Sequence, residues 1–187
     1  MRILLVSLLL VHAFISVQCF GNPLIGPGRW LIESVTQCPD SDQYRMLVDI
    51  SRKRLNRTHD GFTLHLDTDE LEINDAIAVK VDIYKQMDGG YKYYMQLEDE
   101  SGCNLINKFA KTNFEIILGL IGIDPPVCQI PPGEYTAENF VFNYEELDDD
   151  YPYGSYECYT YLLLNGELIS CFKLNARFEQ GEEDEDD

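Results

Sequence analysis

Side chains that could act in catalysis are few in this sequence and form no recognised catalytic pattern. A hydrolase needs a nucleophile, a general base and hydrogen-bond donors for the oxyanion, but His59 and His65 are the only histidines after His12. His65 alternates with apolar residues as an outward strand position, and His59 adjoins Asp60 in a predicted loop, so we expect water around both. The sequence contains neither a GxSxG elbow nor an HExxH pair. These features predict a protein that is not an enzyme and has no cofactor.

Carboxylates are abundant but lack the spacing of a metal site. Five of them lie close together in one segment: Asp67, Asp69, Glu70, Glu72 and Asp75. A calcium loop of the EF-hand type would need an oxygen-bearing side chain two residues after Asp69 and then a glycine, where Leu71 and Glu72 stand. The run Asp148–Asp150 either binds calcium weakly or forms a hydrated loop, and we favour the hydrated loop. We therefore predict no metal site.

Acidic residues dominate the charge of the chain. Asp and Glu number 33 against 14 Lys and Arg, and the formal net charge is −19. Such a surface repels phosphate backbones, which excludes nucleic acid as a partner. Seven of the last nine residues, 179–187, are acidic, and we expect them either to form a disordered tail or to bind a basic partner. The chain has one basic cluster, which consists of Arg52, Lys53, Arg54 and Arg57. The cluster either binds an anionic headgroup or an acidic receptor, or it only keeps the chain soluble.

The N-terminus has the pattern of a secretory signal peptide rather than of a retained membrane anchor. Arg2 precedes the largely apolar stretch 3–17, which is too short to span a bilayer. We expect residues 1–19 to be removed, by a cut after Cys19 or after Gly21. The mature protein should then be secreted and extracellular, with no stable membrane insertion.

Cysteine usage also fits the secretory route. A cut at either site leaves five cysteines: Cys38, Cys103, Cys128, Cys158 and Cys171. At most two bridges can then form within the chain and one thiol is left over, whereas an earlier cut would keep Cys19 as a sixth. No CxxC pair occurs, which argues against zinc and thioredoxin-like chemistry. Asn56 begins the only N-glycosylation sequon, and we expect it to be glycosylated in an exposed loop.

The elements that would position these residues are mostly strands. Residues 77–84 and 91–98 alternate apolar with polar side chains around Asp88-Gly89-Gly90, which predicts a β-hairpin. Asn165-Gly166 is typical of a second hairpin turn. Further strands are predicted at 44–50, 62–67, 135–143, 156–164 and 168–178. Twelve Tyr and nine Phe also favour a β-rich domain.

One segment departs from the strand pattern. Between Cys103 and Ile121 the apolar residues recur at roughly helical spacing, which predicts one or two short helices ended by Asp124-Pro125-Pro126. With about seven strands and no linker, residues 20–178 should form one domain. The predicted fold is mainly β, an antiparallel β-sandwich with one or two short helices.

Motifs in the C-terminal half resemble the closing strands of the lipid-recognition (ML) superfamily, typified by the ganglioside activator protein. Cys128–Tyr135 has the order Cys-x-x-Pro-x-Gly-x-Tyr, Tyr153–Tyr156 contains Gly-x-Tyr, and Leu168–Leu174 is a terminal strand with a cysteine. The hairpin from Val79 to Cys103 is similar to the insect branch that contains the chemosensory A and B proteins. The resemblance covers residues 30–178, nearly all of the expected domain.

The resemblance implies an immunoglobulin-like sandwich whose sheets are splayed to hold an apolar ligand in an inter-sheet cavity. It also implies one disulfide between Cys38 and Cys171 and another between Cys103 and Cys128, which leaves Cys158 as an inward, buried thiol. The long interval between Cys103 and Cys128 departs from the family. Its apolar residues either form a lip at the cavity mouth or pack against the domain: Ile116, Ile117, Leu120 and Ile121.

The inward faces of the predicted strands would form the cavity wall. The candidate ligand-binding residues are Phe62, Leu64, Val79, Val81, Tyr93, Met95, Phe140, Phe142, Tyr156 and Leu162. The alternative is that they fill an ordinary sandwich core. The favoured function is a secreted, non-enzymatic carrier of a hydrophobic small molecule, such as a lipid, a cuticular hydrocarbon or a pheromone-type ligand in chemosensation. Delivery to a receptor protein is implied by the resemblance alone. The other candidate is an extracellular protein-interaction module with a closed core and an acidic binding surface.

Overall fold

The computed structural model of the chain describes residues 24–55 and 60–181. The predicted signal peptide, the sequon at Asn56 and residues 182–187 of the predicted tail lie outside these ranges. The strands are β1 (Ile25–Gln37), β2 (Leu47–Arg54), β3 (Asp60–Asp67), β4 (Ile77–Met87), β5 (Gly90–Asp99), β6 (Glu134–Phe140), β7 (Asp150–Pro152), β8 (Gly154–Leu164) and β9 (Glu167–Gln180). The helices are α1 (Gly102–Phe109) and α2 (Lys111–Leu120), with 3-10 turns at Ser41–Gln43 and Tyr144–Glu146.

The described strands form two antiparallel sheets. One has six strands in the order β5-β4-β8-β9-β1-β7, and the other has three in the order β2-β3-β6. Mixed order with antiparallel pairing throughout is typical of a sandwich whose consecutive strands pass between sheets. The predicted mainly β, antiparallel sandwich with two short helices is therefore confirmed.

Local turn chemistry explains the two predicted hairpins. Gly89 and Gly90 have φ angles of 84° and 109°, while Asn165 and Gly166 have φ angles of 53° and 81°. Glycine and asparagine adopt these positive values at low cost, so both turns form from their own residues. Beyond the turns, the alternating apolar side chains of β4 and β8 lie side by side on one face of the six-stranded sheet.

Three predicted strand boundaries are wrong. The strand expected at 44–50 begins at Leu47 and runs to Arg54, because Met46 instead turns into the core and donates its backbone N–H to Ile169 O at 3.0 Å. The strand expected at 135–143 ends at Phe140. β9 continues to Gln180, where Glu179 accepts a bond from Arg29 at 2.9 Å. The first two residues of the predicted tail, 179 and 180, thus belong to the sheet.

Apolar packing is concentrated in two groups at opposite ends of β8. The group that we call the aliphatic core consists of Met46, Val48, Leu66, Leu71, Ile77, Leu118, Ile130 and Ile169, with Leu162 packed against it. The other, which we call the aromatic cluster, consists of Trp30, Tyr94, Tyr151, Tyr156 and Phe178. The Trp30 ring lies 5.0 to 5.3 Å from three of the other rings. The two ends of the sandwich are therefore filled by different kinds of side chain.

Two disulfides connect distant parts of the chain. Cys38, directly after β1, is bonded to Cys171 of β9, and Cys103 of α1 is bonded to Cys128. These are the pairs that the family resemblance implied. Cys158 is the one unpaired cysteine among the described residues.

The helical insert packs across one flank of the sandwich. Helix α1 contacts β4 and β5 of the larger sheet, whereas α2 contacts β6 of the smaller sheet. Leu118 of α2 is fully buried in the aliphatic core and Ile121 packs against that core, while Ile116 and Leu120 point to solvent. The insert is thus a structural clamp on the aliphatic end with an apolar outer face. None of the helices in the described ranges is long and apolar enough to cross a bilayer.

Candidate functional site

The centre of strand β8 lies between the two packed groups and remains partly open. Tyr156, Cys158, Thr160 and Leu162 alternate onto one face of this strand. Tyr156 belongs to the aromatic cluster and Leu162 packs against the aliphatic core, which identifies this face as the inward one. Cys158 and Thr160 between them are only half-buried. Because β8 is a central strand, flanked by β4 and β9, a closed sandwich would bury these two side chains completely.

Neighbouring strands continue the same half-buried surface. Strand pairing places Val81 and Ile83 of β4 beside Thr160 and Cys158, and Leu174 of β9 beside Cys158. On the other side of β4, Leu97 and Met95 of β5 continue the row. We call this set the mid-sheet surface: Val81, Ile83, Met95, Leu97, Cys158, Thr160 and Leu174, all half-buried. It is an apolar wall with adaptable Met and Leu side chains, the type of lining that small hydrophobic ligands use.

Cys158 contributes to this wall as a neutral group. Burial, with a smaller contribution from the charge of Glu157, raises the pKa of Cys158 to about 11. The thiol is therefore protonated at neutral pH, and a protonated thiol is a poor nucleophile. Within the site it acts as a small apolar side chain.

Phenol groups supply polarity at the aromatic end of the surface. The Tyr151 hydroxyl donates to Met95 Sδ at 3.2 Å, and the ring of Tyr94 lies 6.2 Å from that of Tyr151. Burial first, and the neighbouring Tyr94, Cys158 and Asp148 second, raise the pKa of Tyr151 to about 12. Burial likewise raises the pKa of Tyr156, whose hydroxyl donates to Pro152 O. Both phenols are uncharged. The Tyr156 proton is held by a backbone carbonyl, whereas the Tyr151 proton is held only by a thioether, a weak acceptor, and can turn to a stronger acceptor on a ligand.

The structure divides the ten residues that were predicted to line a cavity. Leu64, Val81, Met95 and Leu162 are half-buried and face the interior. Phe62, Val79, Phe140 and Tyr156 are buried by other side chains; Phe62 and Phe140 pack on each other with centroids 5.6 Å apart. These four therefore belong to the packed core.

Tyr93 does not face the interior, and its prediction as a wall residue was wrong, whereas Phe142 is half-buried beyond the end of its strand. A bulge in β5 pairs Ile83 with Met95 but Tyr84 with Tyr93, which reverses the alternation at that point. Tyr93 is consequently 58% exposed and packs edge-on against Tyr84 on the outer face. Phe142 follows the end of β6 and packs against Tyr144 with centroids 5.0 Å apart.

The same bulge brings an unpredicted residue inward. Tyr94 turns to the aromatic cluster, where its ring is 6.1 Å from that of Tyr156. Periodicity carries no signal for this change, nor for Tyr151, which lies on the three-residue strand β7. Ile83 and Leu97, in contrast, continue the alternation that already predicted the hairpin, and the same pattern could have identified them.

Several polar residues considered for catalysis or metal binding have structural partners. His65 is exposed on β3, as expected, with Nδ1 3.0 Å from Thr136 Oγ1; His59 lies outside the described residues. Asp67 accepts the backbone N–H of Asp69, and Asp148 accepts that of Asp150, so both carboxylates hold their own turns. Within 24–55 and 60–181, no three His, Cys, Asp or Glu side chains converge as metal ligands would.

An open groove of about 900 Å³ lies outside the sandwich, beside the start of α1. Two of its carboxylates hold the N-cap residue of α1: Asp75 accepts from Ser101 Oγ and Asp99 from the Ser101 N–H, each at 2.9 Å. Ser101 in turn caps α1 by accepting from Asn104 N. Asp75 and Asp99 of this groove are therefore part of a capping network.

Glu146 fastens helix α2 to the loop after β6. Its carboxylate accepts the backbone N–H groups of Thr112 and Asn113 at 2.6 and 2.9 Å, and the Asn113 side chain at 2.8 Å. Asn113 is buried and also bonds both backbone groups of Asn143. Partial desolvation alone would raise the pKa of Glu146, but these hydrogen bonds outweigh it and lower that pKa below the ordinary 4.5.

Glu146→Ala should reduce the free energy of unfolding at pH 7 by about 1 kcal/mol, as for loss of a helix N-cap. Because the folded pKa of Glu146 is depressed, its contribution is present above 4.5 and is lost as pH falls through the lower folded value. Urea unfolding at pH 7 and at pH 3 measures both effects, with the exposed Glu145→Ala as control. An equal loss in the two variants, or a loss independent of pH, would contradict this role.

The chain matches no protein-family model and no curated protein at a significant level. The resemblance to the lipid-recognition superfamily therefore stays a hypothesis, and the functional argument depends on the geometry of the site.

Proposed function

We propose that this protein is a secreted, non-enzymatic carrier of a hydrophobic small molecule, such as a lipid, a hydrocarbon or a pheromone-type ligand. The observation that carries the proposal is the half-buried mid-sheet surface at the centre of the six-stranded sheet. Secretion is supported by the predicted signal peptide and by two disulfides, which are typical of oxidising compartments.

Apolar burial would supply the affinity. Each 100 Å² of ligand surface removed from water contributes about 2.5 kcal/mol, so an alkyl chain along Val81, Ile83 and Leu174 would gain several times the thermal energy. No member of the mid-sheet surface carries a charge, and the Cys158 thiol stays protonated. The surface therefore favours the apolar part of a ligand and disfavours a free ion.

The first test asks whether the native protein carries a bound apolar molecule. Extraction of the protein purified from its natural source with organic solvent, followed by mass spectrometry, should release an apolar molecule in near-stoichiometric amount. The proposal would be overturned if the extract contained no apolar molecule and the protein also left the fluorescence of N-phenyl-1-naphthylamine unchanged.

A variant that fills the site should bind less. Cys158→Phe adds a ring in the middle of the mid-sheet surface and should weaken binding of N-phenyl-1-naphthylamine at least about tenfold, because the ring and the probe compete for one space. Ser51→Phe, which adds the same ring at an exposed position of β2, is the matched control. Circular dichroism verifies folding of both, and Val81→Phe replaces Cys158→Phe if the latter is unfolded. A folded variant that binds like the wild type would contradict the assigned site.

The outer face of the larger sheet favours a second candidate, an extracellular interaction module. Tyr84 lies 5.9 Å from Tyr93 and 5.8 Å from Tyr159, while Lys80 lies 5.4 Å from the Tyr161 ring. Tyrosine is enriched in protein interfaces. This candidate predicts the clean solvent extract that the carrier does not.

A further inference from the structure

Lys85 is a cation on the inward face of the larger sheet. It pairs with Tyr156 of β8 and follows Ile83 by two residues on β4, so it shares the face of the mid-sheet surface. Two contacts confirm its direction. Its Nζ lies 5.6 Å above the Tyr156 ring, and its Cε would be 3.2 Å from a Cβ at Gly154.

Gly154 makes room for this lysine. The residue lies on the same face of β8 as Tyr156 and has a φ angle of 142°, a value that residues with a side chain rarely adopt. Without a side chain at this position, the aliphatic part of Lys85 can lie across β8 and bring the ammonium group to the aromatic cluster. The phenol rings of Tyr94 and Tyr151 adjoin the same Tyr156 ring, at 6.1 and 5.7 Å.

The surroundings of Lys85 contain no compensating acid among the described residues. Lys80 and Lys173 each form an ion pair, at 3.1 and 3.3 Å, with Asp82 and Glu157. Lys85 forms no such pair within the described ranges, although the chain has 33 acidic and 14 basic residues. Burial alone lowers the pKa of Lys85, with no carboxylate to oppose it. Its cross-strand partner on β5 is another cation, the exposed Lys92. A half-buried cation beside aromatic rings and a second lysine is costly unless an anion joins it.

We propose that Lys85, with the phenols of Tyr94 and Tyr151, binds the negatively charged headgroup of an amphiphilic ligand whose alkyl chain covers the mid-sheet surface. The ligand class is thus a single-chain carboxylate lipid such as a fatty acid. The Lys85 ammonium supplies a charge-assisted donor for one carboxylate oxygen. The phenols supply neutral donors for the other, once the Tyr151 proton turns from the weak acceptor Met95 Sδ to the ligand. This inference depends on the proposed carrier function and specifies its ligand.

The test compares dodecanoic acid with dodecanol on the full chain at pH 8, by displacement of N-phenyl-1-naphthylamine. At this pH the acid is ionised. The wild type should bind dodecanoate more tightly than dodecanol. Lys85→Met should weaken dodecanoate binding about tenfold, the usual size of one charge-assisted hydrogen bond, and leave dodecanol binding unchanged. Lys85→Arg should retain most of the preference.

Lys80→Met is the matched control, since it removes a lysine from the opposite face of the same strand. Sodium acetate at millimolar concentration separates a lipid headgroup site from a simple anion site and should not displace dodecanoate. The inference is overturned if Lys85→Met affects acid and alcohol equally or neither, if Lys80→Met has the same effect, or if acetate competes. Equal binding of acid and alcohol by the wild type would also overturn it while leaving the carrier function intact. Binding of neither compound would remove the carrier function itself.

Discussion

Removal of the Cys38–Cys171 disulfide by Cys38→Ala/Cys171→Ala should lower the free energy of unfolding by about 5 kcal/mol. The bond closes a loop with a sequence separation of 133 residues, and closing so long a loop removes much of the freedom of the unfolded chain. Small domains have total stabilities of about 5–15 kcal/mol. Loss of this bridge should therefore leave the domain close to unfolding at body temperature.

Local contacts around the bridge add to this expectation. Both cysteines are buried, and Cys38 N donates to Cys171 O at 3.3 Å. Ile169 and Met46, which lie close to the bridge, belong to the aliphatic core. The bridge therefore fixes the chain where it leaves β1 to the neighbouring strand β9, beside this core. Alanine at both positions also removes buried sulfur atoms from this packing.

Urea unfolding followed by tryptophan fluorescence measures the change, because Trp30 is the only tryptophan. The matched control is Cys103→Ala/Cys128→Ala, whose loop of 25 residues predicts a smaller loss of about 3.5 kcal/mol. If the short-loop variant is the less stable of the two, the long-range closure is not the dominant contribution.

Leu118→Ala should cost about 2–5 kcal/mol, the range for removal of a fully buried leucine. Leu118 is 1% exposed and is the residue through which α2 enters the aliphatic core, with Phe114 and Ile121 beside it. The smaller side chain would leave a cavity where the helix meets the aliphatic core. The insert should then detach more readily from the flank.

Leu120→Ala is the control from the same helix. Leu120 is 49% exposed, and substitutions at such positions change stability by less than about 0.5 kcal/mol. Equilibrium urea unfolding of both variants gives the comparison, and hydrogen exchange of α2 amides reports whether the loss is local. Similar losses in the two variants would show that the orientation of α2 is not as described.

The sequence was sufficient to predict those elements whose formation depends on residues close together in the chain. The hairpins at Gly89-Gly90 and Asn165-Gly166 combine alternating side chains with turn residues that tolerate positive φ, and both are adjacent in sequence. Helical spacing similarly predicted α1 and α2. Even so, spacing could not determine which face of α2 would be buried, because apolar residues lie on both sides of it.

The candidate site, in contrast, depends on long-range pairing. The β5 bulge arises from the registration of β5 on β4, and it exchanges Tyr93 for Tyr94 on the inner face. Tyr151 reaches the site because β7 pairs with β1, from which it is more than a hundred residues distant in sequence. No short-range pattern contains this information.

Sequence by itself determined a β-rich, disulfide-linked chain with two hairpins and a helical insert, since each depends on neighbouring residues or on cysteine content. Tertiary structure alone decided that Cys158 and Thr160 stay half-buried between two packed groups. It also decided that Lys85 lies on the same face without a carboxylate partner among residues 24–55 and 60–181. The physical reason is that burial and charge pairing at these positions are set by strands brought together from distant parts of the chain. The proposed headgroup site depends on Lys85, Tyr94 and Tyr151, none of which was among the residues predicted from the sequence to bind a ligand.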